Sequence, residues 1–227
     1  MKPWHFRYAR GMVYVGAAIA AMAVGIAATW GQKDLGPVLV DARQLYGLWA
    51  LALLLASMLL GPLTSVLPWL PFKSSLMYGR RAVGICAFLF AVLHVAAYLW
   101  SVLRRNWREL YTPGALWIVG LALGVLVFAD MLALALTSRD ASVKSMGGRK
   151  WKQLHRTVYI VLGLVLLHAI FLGADFGLNH GPDVEAEADF GSLITFASIS
   201  LGWLILVLLR HRNWKWPRPK RGPATVA

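Results

Sequence analysis

The residues of this sequence that could carry chemistry are few, and most of them are histidines. Three of the six histidines, His94, His155 and His168, lie within or at the edge of long apolar runs. Asp130 is the one acid well inside such a run, and the single cysteine, Cys86, has no partner. Disulfides, thiolate clusters and covalent haem attachment all need paired cysteines. Any redox centre in this chain is therefore expected to use histidine.

The elements that must position these histidines are six apolar runs. A helix rises about 1.5 Å per residue, so a bilayer core of about 30 Å takes about 20 residues. Hydrophobic residues make up 59% of the 227 positions and charged residues 15%, against roughly 45–50% and 25% in soluble domains. The predicted fold class is all-α, a polytopic membrane bundle of six transmembrane helices. The segments are Gly11–Trp30, Tyr46–Val66, Ala82–Leu103, Gly114–Leu136, Leu154–Gly173 and Phe190–Leu209.

The first run has an alternative interpretation. A basic start, an apolar stretch and the small residues Ala27 and Ala28 are also typical of a cleaved signal peptide. The stretch is longer than the usual apolar core of a signal peptide, which favours a retained helix. The bundle is then expected to occupy residues 1–209, followed by a basic tail at 210–227.

Positive charge is distributed unevenly between the connections. With the N-terminus inside, the inner segments hold 18 of the 23 Lys and Arg residues and the outer connections hold 5. Cytoplasmic loops of membrane proteins carry this excess, so both termini are predicted to be cytoplasmic and the chain to lie in a bacterial inner membrane. The net charge of +13 is interpreted as a topology signal and a means of binding anionic lipid, not as affinity for nucleic acid.

Two of the histidines fall at a similar depth in the predicted bundle. His94 is about 18 Å along the third helix and His168 about 21 Å along the fifth, and both helices run outward. Two neutral imidazoles from facing helices can supply both axial ligands of a haem iron. The competing interpretation is a pair of hydrogen-bonded core histidines without a ligand.

His155 lies 13 residues before His168, a rise of about 20 Å that suits a second, inner haem. On an ideal helix, however, the two side chains point about 140° apart, and the third helix has no histidine at the inner depth. Contact with a haem propionate, a quinone head group or interfacial water is the alternative for His155.

The segment from Arg80 and Arg81 to His94–Tyr98, and the stretch GRKWKQLHRTVY at Gly148–Tyr159 followed by His168, resemble the ferric-reductase-like transmembrane domain family. Within it, they are most similar to the haem-binding membrane subunits of bacterial periplasmic protein-methionine-sulfoxide reductase systems. The resemblance covers residues 41–171. It implies a six-helix bundle with b-type haem bound by histidines that here match His94, His155 and His168.

The resemblance also implies partners. Electrons would pass from a cytoplasmic flavin reductase or quinol, with quinone or FMN as an optional further cofactor, to a periplasmic oxidoreductase subunit that contains molybdenum. The acidic loop Asp175–Asp189 is longer than the family pattern. The alternatives are a cytochrome b subunit of another quinol-linked oxidoreductase and a haem-free transporter or scaffold.

Three charged residues near the inner ends of the helices are supporting candidates. Arg80 and Arg81 are expected to bind haem propionates, or else to reach lipid phosphates. Asp130 is expected to pair with one of these arginines, or else to relay protons near a quinone.

Overall fold

The computed structural model describes residues 4–30, 33–104, 114–173, 176 and 191–213, and these residues are almost entirely helical. The helices are α1 (Trp4–Thr29), α2 (Leu35–Val66), α3 (Lys73–Arg104), α4 (Ala115–Leu136), α5 (Asp140–Met146), α6 (Gly148–His155), α7 (Val158–Leu172) and α8 (Gly191–His211). Six segments are long and apolar enough to cross a membrane, with α6 and α7 counting together as one. The prediction of an all-α bundle with six membrane-spanning segments is confirmed. The acidic loop at 175–189 lies, except for Phe176, outside the described residues, as does the tail beyond residue 213.

The centre of the bundle is the antiparallel pair of α2 and α3. Contacts such as His94 with the Arg43 carbonyl and Arg80 with the Ser57 carbonyl run in opposite order along the two helices. Helix α1 packs on α3 and α2, α4 packs on α7, and α8 packs on α2. The buried core that joins these helices is apolar and includes Leu54, Leu55, Met58, Ala87, Val127 and Val161. Large apolar side chains also cover the outside, as expected of a bundle whose solvent is lipid.

Helices α1, α2 and α3 begin earlier than the hydropathy of the sequence predicted, and α1 starts at Trp4 instead of Gly11. Helix α2 starts at Leu35 instead of Tyr46, and α3 starts at Lys73 instead of Ala82. Polar and charged residues can continue a helix beyond the bilayer core, so the apolar run underestimates its length. Arg80 and Arg81 consequently lie inside α3, about two turns from its beginning.

The predicted fifth helix, Leu154–Gly173, is broken. Helix α6 ends at His155, and α7 begins at Val158. The backbone N–H groups of Arg156 and Thr157 bond to carbonyls three residues earlier, which is the tighter 3₁₀ pattern. The Thr157 hydroxyl contacts the Leu154 carbonyl at 2.9 Å. The regular α-helical hydrogen bonding is therefore interrupted between His155 and His168.

Candidate functional site

His94 is held against α2 by a backbone hydrogen bond. Its Nδ1 lies 2.8 Å from the carbonyl oxygen of Arg43. A carbonyl can only accept, so Nδ1 carries the proton, and the neutral ring has its lone pair on Nε2. A Cβ added to Gly47, one helical turn from Arg43, would lie 2.9 Å from that same Nδ1. The missing side chain at Gly47 is therefore what lets the imidazole reach the α2 backbone.

His168 repeats this arrangement on the other pair of helices. Its Nδ1 lies 2.8 Å from the carbonyl oxygen of Gly120 in α4. A Cβ added to Gly124, again four residues after the accepting carbonyl, would lie 2.7 Å from Cε1 of His168. Each histidine thus rests on a glycine of the neighbouring helix and donates Nδ1–H to the carbonyl one turn before it.

The two imidazoles face each other across the bundle. Their ring centroids are 6.2 Å apart, and the ring planes meet at 85°. An imidazole nitrogen binds a transition metal at about 2.0–2.1 Å and lies about 1.1 Å from the centre of its own ring. Two imidazoles on opposite sides of one metal ion would accordingly have centroids about 6.2–6.4 Å apart. The observed spacing fits two axial ligands of one metal.

Both histidines line one cavity of about 430 Å³. This volume lies in the usual range for cofactor sites, about 300–1,000 Å³. Most of its wall is apolar, including Leu51, Leu54, Val127 and Phe128. Such a wall excludes water and suits the flat apolar body of a macrocycle.

One end of the cavity is polar and contains Arg43, Gln44 and Tyr98, which we call the polar end. The Arg43 guanidinium lies 5.8 Å from the centre of the Tyr98 ring. The Tyr98 hydroxyl is buried and has no hydrogen-bond partner among the residues that the structure describes. Because an unpaired buried hydroxyl is costly, a hydrogen-bond acceptor of a bound molecule is expected at this end.

His155 does not join His94 and His168. Its ring stacks on Trp151 with centroids 3.9 Å apart. Its Nδ1 lies 3.2 Å from the Trp151 carbonyl oxygen and its Nε2 lies 3.4 Å from the Ser138 hydroxyl. In this arrangement both ring nitrogens of His155 are occupied by protein groups. No group of three or more His, Cys, Asp or Glu that could hold a metal ion occurs within the described part of the chain.

Arg80 and Arg81 are also outside the cavity wall. Arg81 pairs with Asp140 at 2.6 Å, and its guanidinium lies 4.9 Å from the Trp151 ring centre. Arg80 donates from Nε to the Ser57 carbonyl at 2.7 Å. Their binding to haem propionates stays a prediction, and these contacts do not bring either arginine to the two facing histidines.

The expected pairing of Asp130 with an arginine is wrong. Oδ2 of Asp130 lies 2.7 Å from the hydroxyl of Thr157, at the turn between α6 and α7. Arg81 pairs with Asp140 instead, because the short helix α5 carries that carboxylate to the N-terminal part of α3. Asp130 thus connects α4 to the break in the fifth segment.

Sequence reasoning missed Gly47, Gly124 and Tyr98. The glycines have a recognisable signal, because a glycine within an apolar membrane helix is typical of close helix packing. Tyr98 also had a signal, since it follows His94 by four residues and so shares its helix face. These signals do not show which histidine contacts which glycine, because that depends on how the helices pack.

Comparison with known proteins gives consistent matches. Residues 46–166 match the family described as ferric reductase like transmembrane component. The protein-methionine-sulfoxide reductase heme-binding subunit MsrQ of Azospira oryzae is 30% identical over 186 residues, which cover 78% of this chain and 70% of that protein. The magnetosome protein MamZ of Magnetospirillum gryphiswaldense is 32% identical over 174 residues, and that of Paramagnetospirillum magneticum is 34% identical over the same length. These matches cover 75% of this chain but 23% of each MamZ, so the chain spans less than a quarter of those relatives.

Proposed function

The chain belongs to the ferric-reductase-like transmembrane family, and we propose that it binds b-type haem between His94 and His168 and transfers electrons within the membrane. It is a multi-pass protein of the bacterial inner membrane. The name of the relative MsrQ specifies a haem-binding subunit of a reductase, which supports the same role here.

The observation that carries the proposal is the facing pair of histidines. The 6.2 Å between ring centroids suits two axial ligands, and both rings have Nδ1 engaged by backbone carbonyls, which leaves Nε2 of each to bind iron. These carbonyls fix the orientation of each ring and make Nε2 a stronger electron donor. Bound haem supplies a one-electron redox centre, and with both axial positions filled it offers no place for a substrate.

The polar end of the cavity supports a specific orientation of the cofactor. The Tyr98 hydroxyl can donate a hydrogen bond, and the nearby Arg43 guanidinium provides positive charge. Haem carries two carboxylates on one edge, and carboxylates prefer such donors. We therefore assign the carboxylate edge to the polar end and the apolar edge to the wall formed by residues such as Leu54 and Val127.

The proposed partners follow from the family. Because the chain would carry electrons but not bind the final substrate, we propose a periplasmic oxidoreductase subunit, containing molybdenum, as the acceptor. The donor would be quinol or a cytoplasmic flavin reductase. A cytochrome b subunit serving another quinol-linked enzyme is the alternative. A second haem at His155 is not part of this proposal, because both nitrogens of that ring have protein partners.

The test is the absorption spectrum of the purified full-length protein, oxidised and then reduced with dithionite. We expect the spectrum of a six-coordinate, low-spin b haem in the wild type and its loss in His94→Ala and His168→Ala. His211→Ala is the matched control, because His211 is exposed at the end of α8. A double His94→Ala, His168→Ala variant that kept its full complement of low-spin haem would refute the proposal.

A further inference from the structure

The indole of Trp117 is buried without a hydrogen bond. Trp117 lies in the first turn of α4 and is only 5% exposed. Its Nε1 has no hydrogen-bond partner within the described ranges. The neighbouring side chains of Leu116, Ile118 and Val119 are nearly half exposed, so they face lipid while the indole points into the bundle. A buried N–H group costs free energy unless an acceptor reaches it.

Trp117 lies on the face of α4 that borders the cavity. Residues four, seven and eleven positions apart share one face of a helix. Leu121, Gly124 and Phe128 follow Trp117 at these distances, and all three line the cavity between the facing histidines. The indole is therefore placed one turn beyond Leu121, toward the beginning of α4.

Tyr98 lies at the same depth on the neighbouring helix. The consecutive spanning helices α3 and α4 run in opposite directions, and the rings of Phe88 and Phe128 meet with centroids 5.5 Å apart. Both helices rise about 1.5 Å per residue. Moving ten residues forward from Phe88 and ten back from Phe128 places Tyr98 level with position 118. The same register places His94 level with position 122, between the two α4 glycines that contact His168.

We propose that the Trp117 indole donates its N–H to one carboxylate of haem and that the Tyr98 hydroxyl donates to the other. This inference rests on the haem site proposed above. Tyr98 belongs to the helix that carries His94, and Trp117 to the helix whose carbonyl holds His168. The two donors accordingly approach from opposite sides of the plane between the imidazoles. Both lie about 6–8 Å along the bundle from the level of the histidines, where the carboxylates project from the edge of the macrocycle.

The chemistry of the two donors fits a pair of carboxylates. Hydrogen bonds to an ionised acceptor are about twice as strong as those between neutral groups. Both the Tyr98 hydroxyl and the Trp117 N–H are buried and unpaired in the described part of the chain, so each needs an acceptor of its own. Arg43, whose guanidinium lies 5.8 Å from the centre of the Tyr98 ring, supplies positive charge at this end. Haem brings two negative acceptors on one edge and satisfies both donors at once.

The experiment measures how fast haem leaves the purified full-length protein for an excess of haem-free myoglobin. We expect Trp117→Phe to release haem about tenfold faster than the wild type, because a hydrogen bond to a charged group is lost. Its low-spin absorption spectrum should stay unchanged, since both histidines remain. Trp203→Phe is the matched control, because Trp203 packs on Tyr159 and is not part of the cavity wall. It should release haem like the wild type.

Haem dimethyl ester separates a carboxylate contact from a packing effect. The ester has no free carboxylates, so the wild type and Trp117→Phe should release it at equal rates. With haem itself, the double variant Tyr98→Phe, Trp117→Phe should multiply the two single effects to about 100-fold, because each donor serves its own carboxylate. Equal release of haem by the wild type and Trp117→Phe would overturn the proposal. So would a Trp117→Phe effect of the same size with the ester, or a double variant no faster than Tyr98→Phe alone.

A second substitution keeps the test decisive if Trp117→Phe fails to fold. Benzothienylalanine in place of Trp117 keeps the shape of the indole but has sulfur where the N–H was, and it should speed haem release by the same factor. An unchanged release rate with this isostere would overturn the proposal. Failure of the haem site itself gives a different result, because the wild type would then show no low-spin haem. Failure of the Trp117 contact alone would leave that spectrum intact and the release rates equal.

Discussion

His94 and His168 face each other with ring centroids 6.2 Å apart and ring planes at 85°. The crossing angle has a local cause, because each ring is fixed by its own backbone carbonyl on a different helix. Nδ1 of His94 is bound to α2, and Nδ1 of His168 is bound to α4. Neither ring can rotate to become parallel to the other without losing a hydrogen bond.

The crossed rings predict a distinctive electron paramagnetic resonance spectrum. When two axial imidazole planes are perpendicular, the dxz and dyz orbitals of the iron remain nearly degenerate, so oxidised low-spin haem would give a strongly anisotropic signal. We expect that signal from the purified, oxidised protein. A spectrum typical of parallel imidazole planes would contradict the geometry while leaving histidine ligation intact.

Gly124 is expected to be essential for the position of His168. Its replacement by Ala would put a Cβ 2.7 Å from the imidazole Cε1, closer than real contacts allow, so the ring must move. We expect Gly124→Ala to lower the haem retained per protein several-fold. The control is Gly163→Ala, where the added Cβ meets nothing within 4 Å. Equal haem content in the two variants, measured by pyridine haemochrome, would show that the glycine contact does not position the ring.

Tyr98→Phe should weaken haem binding without altering its ligands. The substitution removes a buried hydroxyl that has no partner in the described part of the protein, so no hydrogen bond to a described residue is lost. If the hydroxyl donates to a haem carboxylate, haem should dissociate about tenfold faster. Haem dimethyl ester, which has no free carboxylates, should leave the wild type and Tyr98→Phe at similar rates. A mutational effect of the same size with the ester would exclude a carboxylate contact.

His155→Ala should spare the haem bound by His94 and His168. His155 stacks on Trp151 and has hydrogen-bond partners at both nitrogens, so its loss should lower stability by about 1–3 kcal/mol. The measurements are the haem-to-protein ratio and the midpoint of thermal unfolding. His155→Phe keeps an aromatic ring against Trp151 and should recover part of the stability. Loss of all haem from a folded His155→Ala protein would make His155 a primary ligand.

Topology is predicted from charge, with both termini and the 139–152 connection in the cytoplasm. A phosphatase reporter, which is active only in the periplasm, should be inactive when fused after Ala227. A green fluorescent reporter at the same place, which folds in the cytoplasm, should fluoresce. The opposite pair of results would invert the assignment of inner and outer faces.

The sequence alone determined which segments enter the membrane and how deep their histidines lie. The six apolar runs correspond to the six spanning segments, and the similar depths of His94 and His168 anticipated that the rings would meet. Depth is readable because each residue adds a fixed rise along a helix. Sequence likewise indicated the family, through the basic stretch around His155 and the 13 residues that separate His155 from His168.

Only the tertiary structure showed which face of each helix turns toward the core of the bundle. In a membrane helix the face toward lipid and the face toward the core are both apolar, so hydropathy does not reveal which side turns inward. For that reason the sequence did not predict that His94 rests on Gly47 or that His168 rests on Gly124. The partner of Asp130 was missed for a related reason, because the turn at Thr157 and the helix α5 that carries Asp140 are set by packing. The sequence tells how far along its helix each residue lies. The contacts between helices depend instead on where small residues let the backbones of neighbouring helices approach each other.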